Sequence, residues 1–288
     1  MPHSTIREHR VRHGIVPAHV RRHCGARLSF GKTHMKVTNK TICELITVSL
    51  VIISVAACQH QGNLKRQLQS GRFTYLASDQ DQSTVREIAA LMDSVAPQIA
   101  RDLDVVYRHA VTVEVYPNQE EYDAHLMNPS MRGTPAISAR NRIQLVSPKA
   151  PIQVPGIEYR ERLWFPVHEF AHLVIDQISE QMPTWLDEGV ASYEGSRLFY
   201  TQDRRVRDIL RHRLPSIVDL TQSYSKVPAA DVFSFSLIEF IVAEYGRPAL
   251  NRILRAPDRL DEVLKSPLAT VEERWHRFIA GRYGSPSK

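Results

Sequence analysis

His168-Glu169-Phe170-Ala171-His172 sets two imidazoles four residues apart with a carboxylate directly after the first. Leu173, Val174 and Ile175 follow, so the stretch reads as a largely buried helix. Residues four apart on a helix share a face, so His168 and His172 can aim at one ion. Glu169 sits one position along, where its carboxylate can reach a water at that ion. Two neutral nitrogens beside a base are what a hydrolytic zinc site requires. Burying these three groups together is costly unless something pairs or coordinates them. A third ligand stands sixteen residues beyond His172: Glu188, in Pro183-Thr184-Trp185-Leu186-Asp187-Glu188-Gly189.

The pair H-E-F-A-H and W-L-D-E-G-V-A-S-Y (residues 185–193) resembles the gluzincin, or peptidase MA, superfamily, whose larger relatives include the aminopeptidase-N and thermolysin families. The resemblance covers roughly Ala110 to Tyr283. It implies that His168, His172 and Glu188 bind Zn2+ and that Glu169 activates water, a site suited to hydrolysis of a peptide or protein substrate. It also implies an α+β fold, with a small mixed-sheet N-terminal lobe followed by a mainly helical half that carries the zinc helix. Two positions depart from the family pattern. Four residues after the glutamate ligand, many relatives place an acidic residue that hydrogen-bonds a metal-binding histidine; here that position is Ser192, with Glu194 further on. Relatives also place a tyrosine at the start of the helix that here ends Tyr245-Gly246, as an oxyanion donor. That position falls near Asp231, which cannot donate when ionised. Tyr224, seven residues earlier, is the candidate substitute if its loop folds inward; the competing reading is an exposed loop tyrosine. Asp187 reads as a helix N-terminal charge, because helix neighbours point to different sides. Trp185 and Trp275 read as packing residues.

Residues 35–58 concern location. Lys36 and Lys40 precede an apolar run from Leu45 to Ala57, of signal-peptide length and too short for a permanent membrane span. Val55-Ala56-Ala57-Cys58 resembles the bacterial lipobox, which implies lipidation at Cys58 and an anchor in the cell envelope. The absence of aspartate after that cysteine leans towards the outer membrane, facing the periplasm. Residues 1–34 carry seven Lys/Arg and six His without apolar periodicity and are expected to be an upstream extension. Nine of the 37 Lys+Arg and two of the 31 Asp+Glu precede Cys58, leaving 28 against 29. The basic character thus belongs to the leader, and no nucleic-acid-binding surface is implied. Cys24 and Cys43 also precede the processing point, so the mature chain is expected to hold no internal disulfide.

The expected organisation is a leader at 35–57, a tether at 58–80 and one peptidase-like domain at 81–285. Apolar spacing predicts a helix from Ser83 to Leu103, capped by Ser83 or Thr84, with Pro97 marking a kink. Strands are expected at Ala110–Tyr116 and Arg142–Val146, with a short helix from Gln119 and a loop over Asn128–Arg140 between them. Helices follow at Glu158–Ile178, from Thr184, and over Asp203–Arg213, Asp231–Tyr245, Pro248–Leu254 and Val271–Tyr283. The leading function is a lipid-anchored zinc metallopeptidase. The absence of a G-A-M-E-N-like exopeptidase motif tilts this towards an endopeptidase. The alternative is a non-catalytic lipoprotein whose zinc site only stabilises a protein-binding surface.

Overall fold

In the computed structural model, which describes residues 64–151, 157–202, 204–211 and 213–284, a mixed sheet is followed by a helical half. Cys58, the leader and residues 1–34 lie outside the described residues. The sheet has five strands in the order β1-β2-β3-β5-β4. Strand β1 (Lys65–Ser70) runs antiparallel to β2 (Phe73–Ala77), and β2 runs parallel to β3 (Val111–Tyr116). Strand β3 is parallel to β5 (Arg142–Val146), against which β4 (Ala136–Ala139) lies antiparallel as the edge.

Parallel neighbours need a crossover. Between β2 and β3 it is α1 (Gln82–Asp102), and between β3 and β5 the chain passes through the short helix α2 (Gln119–His125). Alternation gives β3 and β5 two buried faces. Val111, Val113, Val115, Ile143 and Leu145 join the main core beneath α1, while Tyr116 and Val146 meet Tyr122 and Leu126 in a second cluster. Within that second face lies buried Glu114. It accepts bonds from Arg142 (Nη2 at 2.6 and 2.8 Å), from Gln144 Nε2 at 2.8 Å and from the Tyr116 hydroxyl at 3.0 Å. Gln144 also receives the backbone N–H of Met127 and donates to the carbonyl of His125, which pins the end of α2 to the sheet.

The helical half begins with a single turn, α3 (Tyr159–Arg162), before the motif helix α4 (Phe165–Ile175). Helix α5 (Thr184–Gln202) packs against both α4 and α8 (Ala230–Tyr245). Helix α8 buries every residue from Val232 to Ile241, so it is the central helix of this half. Helices α6 (Arg204–Leu210), α7 (Ile217–Gln222), α9 (Arg247–Arg255), α10 (Leu260–Leu264) and α11 (Leu268–Tyr283) surround it. Arg247 at the start of α9 ties the halves together, bonding Asp102 at the end of α1 (3.0 Å) and Glu194 on α5 (2.5 Å). No helix among the described residues is long and apolar enough to cross a membrane.

The fold class is the one the sequence implies, with several local corrections. Residues 65–77, assigned to a tether, form the β1–β2 hairpin, so the ordered lobe begins well before residue 81. The supposed loop 128–140 contains edge strand β4. Helix α1 starts at Gln82 behind a short turn at Asp79–Asp81, and it is not capped by Ser83 or Thr84. Asp81 instead holds the hydroxyls of Ser78 and Ser147 at 2.7 and 2.6 Å. The predicted Glu158–Ile178 helix breaks after Arg162, because Pro166 has no N–H to continue the ladder and sits in the first turn of α4.

Candidate metal centre

Helix α4 is buried along most of its length, and this holds its two histidines still. Phe170 packs edge-on against Phe73 and Tyr107 at 5.4 and 5.1 Å between ring centres, wedging the helix onto the sheet. On the face towards α5, His168 and His172 bring their Nε2 atoms within 3.1 Å of each other. Helix α5 starts immediately after Pro183, whose carbonyl accepts the N–H groups of Leu186 and Asp187. That first turn delivers Glu188, with Oε2 at 3.6 Å from His168 Nε2 and 3.8 Å from His172 Nε2.

The three predicted ligands therefore converge. Their donor atoms lie within 4.8 Å of one another. Ligands bonded tetrahedrally to a zinc-sized ion at about 2.0–2.1 Å are about 3.3 Å apart, and the observed separations bracket that value. Two nitrogens and one carboxylate form a donor set for a transition ion more than for calcium or magnesium, which favour oxygen alone. The residues fit a metal ion. His168 and Glu188 keep some exposure, with 21% and 28% of their side-chain surfaces open, whereas His172 keeps 7%. The centre thus opens to solvent on the side of His168 and Glu188.

The structure corrects the reading of Asp187. Its Oδ1 accepts a 2.7 Å hydrogen bond from His172 Nδ1 in a buried pair. Successive helix residues diverge by about 100°, and the two nitrogens of one imidazole diverge as well. Asp187 and Glu188 can therefore serve opposite edges of the same ring. This bond fixes the tautomer with Nε2 facing the other donors. Burial is the largest influence on His172 and pulls its pKa down. The charges of Asp187, Glu188 and Glu169 outweigh it and hold the ion-free ring up to about 10.

Ser192, in the position of the acidic residue of relatives, does not replace it: its hydroxyl is buried without a hydrogen-bond partner among the described residues. Glu194 turns away to Arg247. Asp231 lies in the first turn of α8, near enough to Glu188 and His168 for their charges to act on it. Burial, joined by the Glu188 charge, raises its carboxyl to about 6 against the opposing pull of backbone hydrogen bonds and His168. Tyr224 lies in a short turn, Tyr224–Lys226, and is only 9% exposed, so the exposed-loop reading does not hold. Trp185 and Trp275 are core residues, the latter donating from Nε1 to the Ser236 hydroxyl at 3.2 Å.

Glu169 is 9% exposed and makes no hydrogen bond or ion pair among the described residues. Its charge is felt at Tyr122, whose phenol is raised first by burial and further by Glu169, with the Thr134 hydrogen bond opposing. The carboxylate is therefore within electrostatic range of Tyr122.

The sequence profile described as Peptidase MA superfamily matches residues 92–280 of the 288. The chain belongs to the peptidase MA superfamily. No curated protein sequence matches it significantly. The matched region runs from the middle of α1 into the last turn of α11 and contains both motif helices. Membership and the convergence of His168, His172 and Glu188 together are consistent with a metallopeptidase-like enzyme.

Proposed function

We propose that this protein is a zinc-dependent metallopeptidase acting as an endopeptidase, with Glu169 as its general base. The observation that carries the reading is the state of Glu169. A glutamate only 9% exposed beside three potential ligands, with no hydrogen bond or ion pair among the described residues, is available as a base, a group that a purely structural metal site would not need. A zinc ion held by His168, His172 and Glu188 supplies Lewis acidity towards a carbonyl oxygen and towards water. Glu169 takes a proton from the attacking water on its carboxylate and returns it to the departing amine. Asp187 keeps the His172 ring oriented throughout. Tyr224 is the candidate for donating to the developing oxyanion, because a phenol carries its proton at neutral pH, whereas Asp231, raised to about 6, is mostly ionised there.

A peptide substrate suits the neighbouring strand. Strand β4 packs against α4, and its outer edge has no strand partner among the described residues. An extended chain can pair with such an edge through main-chain hydrogen bonds. We place the protein in the bacterial cell envelope, lipid-anchored through Cys58, on the strength of the leader-like sequence alone. Metabolic labelling with a fatty-acid analogue tests this: label lost in Cys58→Ser supports it, and label retained there refutes it.

The alternative, a zinc-stabilised binding module without catalysis, makes a different prediction for Glu169. Glu169→Gln is expected to keep the fold and the zinc while losing about a hundred- to ten-thousand-fold in cleavage of a library peptide. Wild-type protein that holds zinc but cleaves nothing, with Glu169→Gln complementing a deletion strain fully, would favour the binding module.

A further inference from the structure

We infer that Gly195, on α5, is a positioning residue that sets how closely the Glu188 helix approaches the His168 backbone; this rests on the reading that His168, His172 and Glu188 hold a metal. Gly195 is seven residues beyond Glu188, two helical turns, and therefore lies on the same stripe of α5. A methyl group built on Gly195 would lie 2.5 Å from Cα and 2.6 Å from N of His168, and 3.1 Å from its Cβ. Carbon atoms in contact settle at about 3.5–4.0 Å, so any side chain here requires a displacement of about an ångström. The obstacle is the backbone of a ligand residue, so no rotamer change can relieve it.

The other helical glycines behave differently. Gly189 faces α8, where an added methyl would meet Ile238 Cγ1 and Ser234 at 3.0 Å. Gly281, on α11, has nothing within 4 Å. Alanine is the better helix former, so position 281 is a site where the exchange has no steric cost. At 195 the exchange drives α5 from α4 at the first histidine. Glu188 and His168 sit on the two helices being separated, and metal–ligand distances tolerate only about 0.2 Å. The consequence therefore falls on the metal centre before it falls on the core.

The test is a zinc titration against a chromogenic chelator for wild type, Gly195→Ala and Gly281→Ala, with the visible spectrum of the cobalt-substituted forms. Gly195→Ala is expected to bind zinc at least about tenfold more weakly, the scale of losses seen when the support of a ligand is disturbed. Its cobalt bands are expected to shift, while Gly281→Ala matches wild type in both. Should Gly195→Ala be unfolded in buffer, the titration is repeated with an excluded osmolyte, which favours the compact state without entering the site. Wild-type affinity and spectrum in a folded Gly195→Ala protein overturn the inference. So does a variant that stays unfolded in osmolyte with zinc, because the glycine would then serve the fold as a whole. Wild type that binds no zinc fails at the earlier step and refutes the metal reading itself.

Discussion

His172 is gripped from two sides: Asp187 holds Nδ1 at 2.7 Å, and Nε2 turns to His168 and Glu188. Orientation of this ring is then a property of one buried carboxylate. Asp187→Asn keeps the shape but weakens the acceptor and leaves the imidazole less basic. It is expected to lower zinc affinity by about ten- to a hundred-fold with little change in secondary structure, as read by chelator competition and circular dichroism. Unchanged affinity would show that the bond is incidental. Spacing alone made the two histidines legible, because four residues on one helix is a fixed geometry, whereas Glu188 was read from the downstream motif and the resemblance it carries. Asp187 was not legible, since its role depends on the crossing of two helices and on the divergence of two ring nitrogens. Glu169 was legible as a residue, but its lack of a hydrogen bond or ion pair among the described residues required the fold.

At the scale of elements, long amphipathic segments could be read from sequence and short ones could not. Helix α1 and strands β3 and β5 carry enough periodic residues to announce themselves. Strand β4 has only Ala136–Ala139, with small residues and no β-branched run beyond Ile137. The β1–β2 hairpin was hidden by the polar sequence KRQLQS, which suits a solvated edge as well as a tether. The sheet also contains Glu114, fully buried on β3, where the strand pattern alone would place an apolar side chain. Glu114→Ala would remove the buried carboxylate acceptor shared by Arg142, Gln144 and the Tyr116 hydroxyl, while partly exposed Arg142 can return to water. The expected loss is about 2–4 kcal/mol of stability, measured by urea unfolding, with α2 loosening first in hydrogen exchange. A loss below about 0.5 kcal/mol, the range of a neutral surface change, would show that the network is not a structural anchor.

On the scale of the whole molecule, the sheet lobe and the helical half meet along α4, and Arg247 fastens the far end by bridging Asp102 and Glu194. The metal centre lies between α4 and α5, with edge strand β4 packed beside α4, so ligand geometry depends on the packing of both halves. Superfamily membership rests on the match over residues 92–280, and the three candidate ligands converge in that arrangement; zinc and catalysis are the steps we add. On that reading the folded state binds the ion and the unfolded chain does not, so metal must also appear as stability. The decisive measurement is the metal content of protein purified without chelators, paired with its melting temperature before and after metal removal. The account predicts about one zinc per chain, lost on chelation together with a fall in melting temperature that added zinc restores. Wild-type protein that carries no zinc and gains no stability when zinc is supplied would contradict it.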